Sequence, residues 1–131
     1  MNDHNCEAII ITCIDYRLQD FINEWINTRF NGNPYDRVAL GGGIFDIFYI
    51  LRQIEISVKL HHVKKVILIN HEDCGAYGKA GTYEKHLEDL AAAEKKIEAL
   101  FGLDVETYYL HLDGVFEEVS RTNPKTVISS G

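Results

Sequence analysis

Apolar residues in this chain fall alternately into short continuous runs and helical stripes. Ala8-Ile9-Ile10-Ile11-Thr12-Cys13 is β-branched, too brief for a helix and without polar alternation. Such a run suits a parallel strand buried on both faces. Leu18, Phe21, Ile22 and Trp25 then recur at helical spacing, and Gly32 and Pro34 end that helix. Arg37-Val38-Ala39-Leu40 reads as a second strand, closing on Gly41-Gly42-Gly43. A helix from about Ile44 to His61 carries Phe45, Phe48, Leu51, Ile54 and Val58, with Ile47 and Ile50 beside them. It is apolar around most of its circumference, more than one sheet can cover, so a subunit interface is predicted on its second surface. Val66-Ile67-Leu68-Ile69-Asn70 is another fully buried strand, leading into a loop from His71 to Thr82. Leu87, Leu90, Ala91, Ile97 and Phe101 mark a third helix closed by Gly102. Glu106 to Leu112 is the last main strand. After a turn at Asp113-Gly114, Val115 to Val119 returns as a small antiparallel strand.

This alternation predicts one α/β domain spanning residues 1–131. Its core is a mostly parallel sheet of about four strands flanked by helices, with right-handed crossovers and the small antiparallel strand at the carboxyl end. Sites in such folds lie beyond the carboxyl ends of the strands, where the strand order reverses. Three loops therefore stand out: the one after Cys13, the glycines after Leu40, and the one after Asn70.

Composition narrows the partners. A chain 46% hydrophobic with 10 Gly and 2 Pro is neither disordered nor collagen-like. Thirteen basic against twenty acidic side chains give a formal charge of −7, which argues against nucleic acid as a partner. No apolar run approaches the ~20 residues of a membrane span. The first residues, Met-Asn-Asp-His-Asn-Cys-Glu, are polar and acidic, unlike a signal peptide, so a cytoplasmic location is expected. In that reducing compartment three cysteines read as core residues, metal ligands or reactive thiols.

Two of the three loops hold thiols. Cys13 opens Cys13-Ile14-Asp15-Tyr16-Arg17, and Cys74 lies within His71-Glu72-Asp73-Cys74-Gly75. Thiolate and imidazole are the donors Zn²⁺ prefers, and three protein ligands leave a fourth position for water or substrate. His71 and Cys74 are three apart, so one turn can aim both at a single ion that Cys13 reaches from a neighbouring strand. Spacing alone leaves open a buried small thiol at Cys13, an ordinary loop thiol at Cys74, or a disulfide between them. Asp15 and Arg17, two apart, can form a bidentate pair that holds the carboxylate ionised beside such a metal. A surface ion pair fits the same spacing. Gly41-Gly42-Gly43 fails the dinucleotide fingerprint because Asp46 stands where its last glycine belongs, and close backbone approach beside a small site is the better use. His61 and His62 read as helix-end caps, His86 as a solvated helix residue, His111 as a satisfied strand residue, and Cys6 as a bystander.

Taken together, the C-x-D-x-R at the first strand end and the H-x-x-C-G at the third resemble the β-class carbonic anhydrases, over about residues 8–119. The resemblance implies zinc held by Cys13, His71 and Cys74. Asp15 would join the metal in a closed form, or release it by pairing with Arg17. It implies reversible hydration of CO₂ to bicarbonate by zinc-bound hydroxide, with Asp15 and Arg17 as catalytic residues and a homodimer or larger assembly. Hydrolysis of CS₂ or COS, or a zinc-binding relative without catalysis, fits the same constellation. Ala39-Leu40-Gly41-Gly42 replaces the R-N-A-G-like stretch usual in the family, and the lead before Cys13 is too short for the family's helical arm.

Overall fold

The computed structural model describes residues 4–119, so the ends of the expected domain, 1–3 and 120–131, lie outside the described residues. Five strands, β1 (Ala8–Thr12), β2 (Tyr35–Ala39), β3 (Lys65–His71), β4 (Asp104–Leu110) and β5 (Phe116–Glu118), form one sheet in the order β2-β1-β3-β4-β5. The first four run parallel, and β5 pairs antiparallel with β4. Helices α1 (Gln19–Phe30), α2 (Ile47–His61) and α3 (Tyr83–Phe101) supply the crossovers.

The period-two geometry of β1 and β3 sorts their side chains between two cores. Ala8, Ile10, Ile67 and Ile69 pack with Ile22, Ile26 and Phe30 of α1. Ile9, Ile11, Val66 and Leu68 pack with Ile50 and Ile54 of α2 and Leu90 and Ile97 of α3. Because helices cover both faces, β1 carries no polar alternation and is buried at every residue.

Several boundaries differ from the expected ones. β2 begins two residues early, since Tyr35 and Asp36 pair with Ala8 and Ile9 despite their polar character. The second helix does not start at Ile44. A short 3-10 turn over Gly43–Phe45 comes first, and Asp46 caps α2 by accepting the Tyr49 N–H at 3.2 Å. The apolar excess of α2 is real: Phe48 is 79% and Leu60 61% exposed, with Tyr49 and Ile56 beside them.

The edge of the α1 core carries a partly buried ion cluster. Glu106 on β4 accepts from Arg29 Nη2 at 2.7 Å, Lys65 Nζ at 2.8 Å and Tyr108 OH at 2.7 Å. Burial alone would raise its pKa, but these three donors hold it down at about 2, against an ordinary 4.5. A carboxylate with a depressed folded-state pKa contributes stability that is complete above 4.5 and is lost as pH falls through about 2. Urea titrations should therefore show native protein more stable than Glu106→Gln by about 3 kcal/mol at pH 7, with the gap closing between pH 4.5 and 2. A gap that does not change with pH would contradict this account.

Candidate metal centre

β1 and β3 are adjacent and parallel, yet the chain leaves β1 toward β2 on one side and reaches β3 on the other. The strand order reverses between them, and their carboxyl ends carry Cys13 and His71. After β3, Asp73 takes a positive φ of 57° and turns the chain back, which returns Cys74 to the strand ends. Sγ of Cys13, a ring nitrogen of His71 and Sγ of Cys74 all lie within 4.8 Å of one another, and all three residues are buried. No disulfide joins the two thiols.

The donor chemistry fits a thiophilic dication. The carbonyl of Glu72 lies 2.7 Å from His71 Nδ1, which assigns the proton to Nδ1 and leaves the Nε2 lone pair free. That Nε2 is buried and has no well-formed hydrogen bond among the described residues; it faces the Cys13 thiol instead. Burial opposes ionisation of Cys13, but His71, the Gly42 N–H and the backbone at Asp15 outweigh it and bring the thiol down to about 7. Burial, reinforced by the neighbouring Cys13, pushes the Cys74 thiol up. Two thiols and an imidazole with one orphaned lone pair form the open three-ligand set that Zn²⁺ takes in catalytic sites.

Asp15 sits at the rim and caps a 3-10 turn over Tyr16–Leu18. Its carboxylate accepts from Arg17 Nη2 at 2.7 Å, Arg17 Nε at 3.1 Å and the Arg17 backbone N–H at 2.9 Å. These bonds outweigh burial and hold the carboxyl at about 2. Oδ2 stands 3.9 Å from His71 Nε2, close to the donors but turned toward Arg17. Gln19 fixes the loop from behind by donating to the carbonyls of Cys13 and Asp15 at 3.1 and 2.8 Å. Its own carbonyl accepts from Arg37 on β2 at 2.9 Å.

Two of the three glycines, Gly42 and Gly43, serve close backbone approach, whereas Gly41 has open space around it. Gly42 N–H donates to Cys13 Sγ at 3.3 Å, from a φ of 89°. Gly43 packs so tightly on β3 that a Cβ there would lie 2.7 Å from Asn70 Oδ1. Main chain supplies a donor to the thiol where Ala39 and Leu40 offer no polar side chain.

Sequence reasoning missed five contributors: Asp73, Asn70, Tyr77, His86 and Asp89. Asp73 accepts from Arg17 Nη1 at 3.1 Å, and its carbonyl accepts from Nη2 at 3.0 Å, so the guanidinium bridges both thiol loops. Behind the trio, Tyr77 packs on Cys13 and Cys74. Asn70 donates to Tyr77 OH at 3.1 Å and to His86 Nδ1 at 2.9 Å, while Tyr77 OH donates to Asp89 at 2.9 Å. His86 is fully buried, not solvated. The signal was present: residues 86, 90, 93 and 97 form one helical stripe, and an Asn ending an apolar strand requires hydrogen-bond partners. His111 has the satisfied ring expected of it, bonded to Glu117 at 2.9 Å, but lies just beyond β4. His61 is more than a cap, since its Nδ1 binds Asp36 at 2.7 Å.

Fold and site together define an α/β protein with a buried Cys-His-Cys group, able to hold a metal, at the switch point of its sheet. Residues 3–120 match a family described as "Putative carbonic anhydrase". The chain belongs to this family, and its fold is that of the β-class enzymes. An uncharacterized protein of Rickettsia bellii is 30% identical, over 92% of this chain and 86% of its own length. Among solved structures, a carbonic anhydrase from Glaciozyma antarctica aligns with a TM-score of 0.64 at 19% identity, over 86% of this chain and 81% of its own. A tetrameric β-carbonic anhydrase from Sordaria macrospora aligns at 0.57 and 16% identity, over 91% and 82%.

Proposed function

We propose that this chain is a zinc-dependent carbonic anhydrase, interconverting CO₂ and bicarbonate. The observation that carries this reading is the convergence of Cys13, His71 and Cys74 beside an Asp15 carboxylate already held by Arg17. These three residues would hold Zn²⁺, and Asp15 would become a further ligand only if it let go of Arg17. Zinc, when bound, acidifies a water molecule to a pKa of about 7 and so supplies the nucleophile at neutral pH.

The chain's own residues set the remaining requirements. Hydration consumes one water per CO₂ and releases one proton. Asp15, ionised down to about pH 2, accepts a hydrogen bond from water at the rim and orients its lone pair toward the carbon. Arg17 keeps both Asp15 oxygens occupied from the outer side and thereby keeps the carboxylate off the sulfur and nitrogen donors. Gly42 N–H steadies the Cys13 thiolate, and the Glu72 carbonyl holds the His71 tautomer.

The assembly and its setting belong to the same proposal. A second copy would cover the apolar face of α2, making a homodimer or larger assembly of single-domain chains in the cytoplasm. Among the described residues no helix is long and apolar enough to cross a membrane. The absence of polar side chains at Ala39 and Leu40 favours one competing reading, a zinc-binding relative without catalysis. Metal analysis with stopped-flow CO₂ hydration across pH tests both. Zinc-loaded protein that accelerates hydration supports the enzyme. Loaded protein inert toward CO₂ overturns it, and sulfide release from COS or CS₂ then separates those substrates from an inactive relative.

A further inference from the structure

The sheet has a second cluster of ligating side chains at its other end. Cys6 lies just before β1, Asp36 is the second residue of β2, and His61 is the last residue of α2. A sulfur, a carboxylate oxygen and a ring nitrogen from these three lie within 4.8 Å of one another. This group is separated from Cys13 by the length of β1, roughly 17 Å for a five-residue strand. No motif announces it, because its members are 30 and 25 positions apart in the chain.

The backbone holds the cluster in place. Cys6 N–H donates to the His61 carbonyl at 3.0 Å, Glu7 N–H to the Pro34 carbonyl at 3.0 Å, and Lys64 N–H to the Glu7 carbonyl at 3.2 Å. The lead into β1 is thereby tied to both elements that carry the other donors. Ser57 Oγ donates to Asp36 Oδ2 at 2.6 Å and orients the carboxylate, as supporting partners do around metals. His61 Nδ1 lies 2.7 and 2.9 Å from the two Asp36 oxygens.

We infer that Cys6, Asp36 and His61 form a second metal site, selective for a thiophilic dication such as Zn²⁺. A thiol, an imidazole and one carboxylate exclude the hard, oxygen-seeking Ca²⁺ and Mg²⁺. A tetrahedral zinc spaces sulfur, nitrogen and oxygen ligands by about 3.3–3.6 Å. From 2.7 and 2.9 Å, the His61–Asp36 contact reaches this by opening about half an ångström, and the sulfur already lies within 4.8 Å of both. The electrostatics run the same way. Asp36 and the Cys6 thiol carry negative charge when ionised, and burial together with Asp36 pushes that thiol up. A dication turns this repulsion into two attractions. The side chains of His61 and Asp36 are 37% and 28% exposed, which gives the ion a path in and water a place in its shell. The ring of His4 lies 6.4 Å from that of His61 and is a fourth donor within reach. The bound ion would clamp the lead, the edge strand β2 and the end of α2 together, so its effect is on stability.

Zinc and Co²⁺ titrations of the full chain test this against the plain alternative of a His61–Asp36 ion pair with an idle thiol. Native protein should take two metals, Cys74→Ser one, Cys6→Ser one, and Cys6→Ser/Cys74→Ser none. In Cys74→Ser, Co²⁺ should give a thiolate charge-transfer band, and zinc should raise Tm; both effects vanish in the double variant. Cys6→Ser should keep its CO₂ hydration, so failure of this site is separable from failure of the first. His61→Gln in the Cys74→Ser background provides a second route and should weaken zinc by more than the ~10–100-fold typical of lost supporting partners. Cys74→Ser protein that binds no zinc overturns the proposal. So does zinc that persists in both double variants.

Discussion

Cys74→Ser protein is expected to lose the first metal and CO₂ hydration together, with activity falling at least about 10⁴-fold to the rate of buffer. The size of the effect follows from the donor count. With three protein ligands and one open position, removal of one thiolate leaves two donors, too few to hold zinc against water. The hydroxyl of serine is a poor replacement because it does not ionise near neutral pH. The fold should survive. Cys74 is 5% exposed and packs with Cys13 and Tyr77, so a hydroxyl there costs about 1 kcal/mol, mostly desolvation. Far-UV circular dichroism and metal analysis on one preparation check both halves. Folded, metal-depleted and inactive protein is the expected outcome, whereas full activity in Cys74→Ser would refute the assigned site.

Arg17→Ala should behave differently: zinc retained, hydration reduced about 10²-fold or more. The Arg17 side chain makes three hydrogen bonds to the Asp15 carboxylate and two to Asp73. Deleting the side chain frees a carboxylate whose Oδ2 already lies 3.9 Å from His71 Nε2, and rotation brings it onto the donors. Charge is not the cause. Asp15 is held at about 2 by Arg17 and would relax toward its ordinary 3.8, so it stays ionised at pH 7 either way. The loss is therefore positional: the carboxylate occupies the place that substrate water needs. The acid limb should move upward in Arg17→Ala, because a carboxyl freed from its cation protonates at higher pH. Arg17→Lys, which keeps the charge but not the fork, should recover only part of the activity. Arg17→Ala within threefold of native activity would refute this role.

The two thiol motifs were legible in the chain because each is local. C-x-D-x-R puts Asp15 and Arg17 two residues apart, and H-x-x-C puts both donors on one turn. The buried strands were equally plain, since Ile9 to Ile11 and Val66 to Ile69 are apolar on both faces. Partners that lie far apart in sequence were not visible. Asp73 reads as an ordinary loop acid until the guanidinium of Arg17, 56 residues away, reaches it. His86 reads as solvated until the helix docks its stripe on β3 and β4 and closes over the ring. Cys6 reads as idle until Asp36 and His61 arrive beside it.

Periodicity and local motifs were sufficient for the α/β class, for the switch-point loops and for marking Cys13, His71 and Cys74 as candidate donors, because hydrophobic period and short spacing act within one element. Only the tertiary structure decided the strand order, the bridge from Arg17 to Asp73, the Asn70–Tyr77–His86 support and the second cluster. The support forms when α3 docks on β3 and β4 and brings His86 over Asn70. The others depend on which strand ends become neighbours, which pairing across the sheet sets through contacts 25 to 60 residues apart that no local pattern encodes.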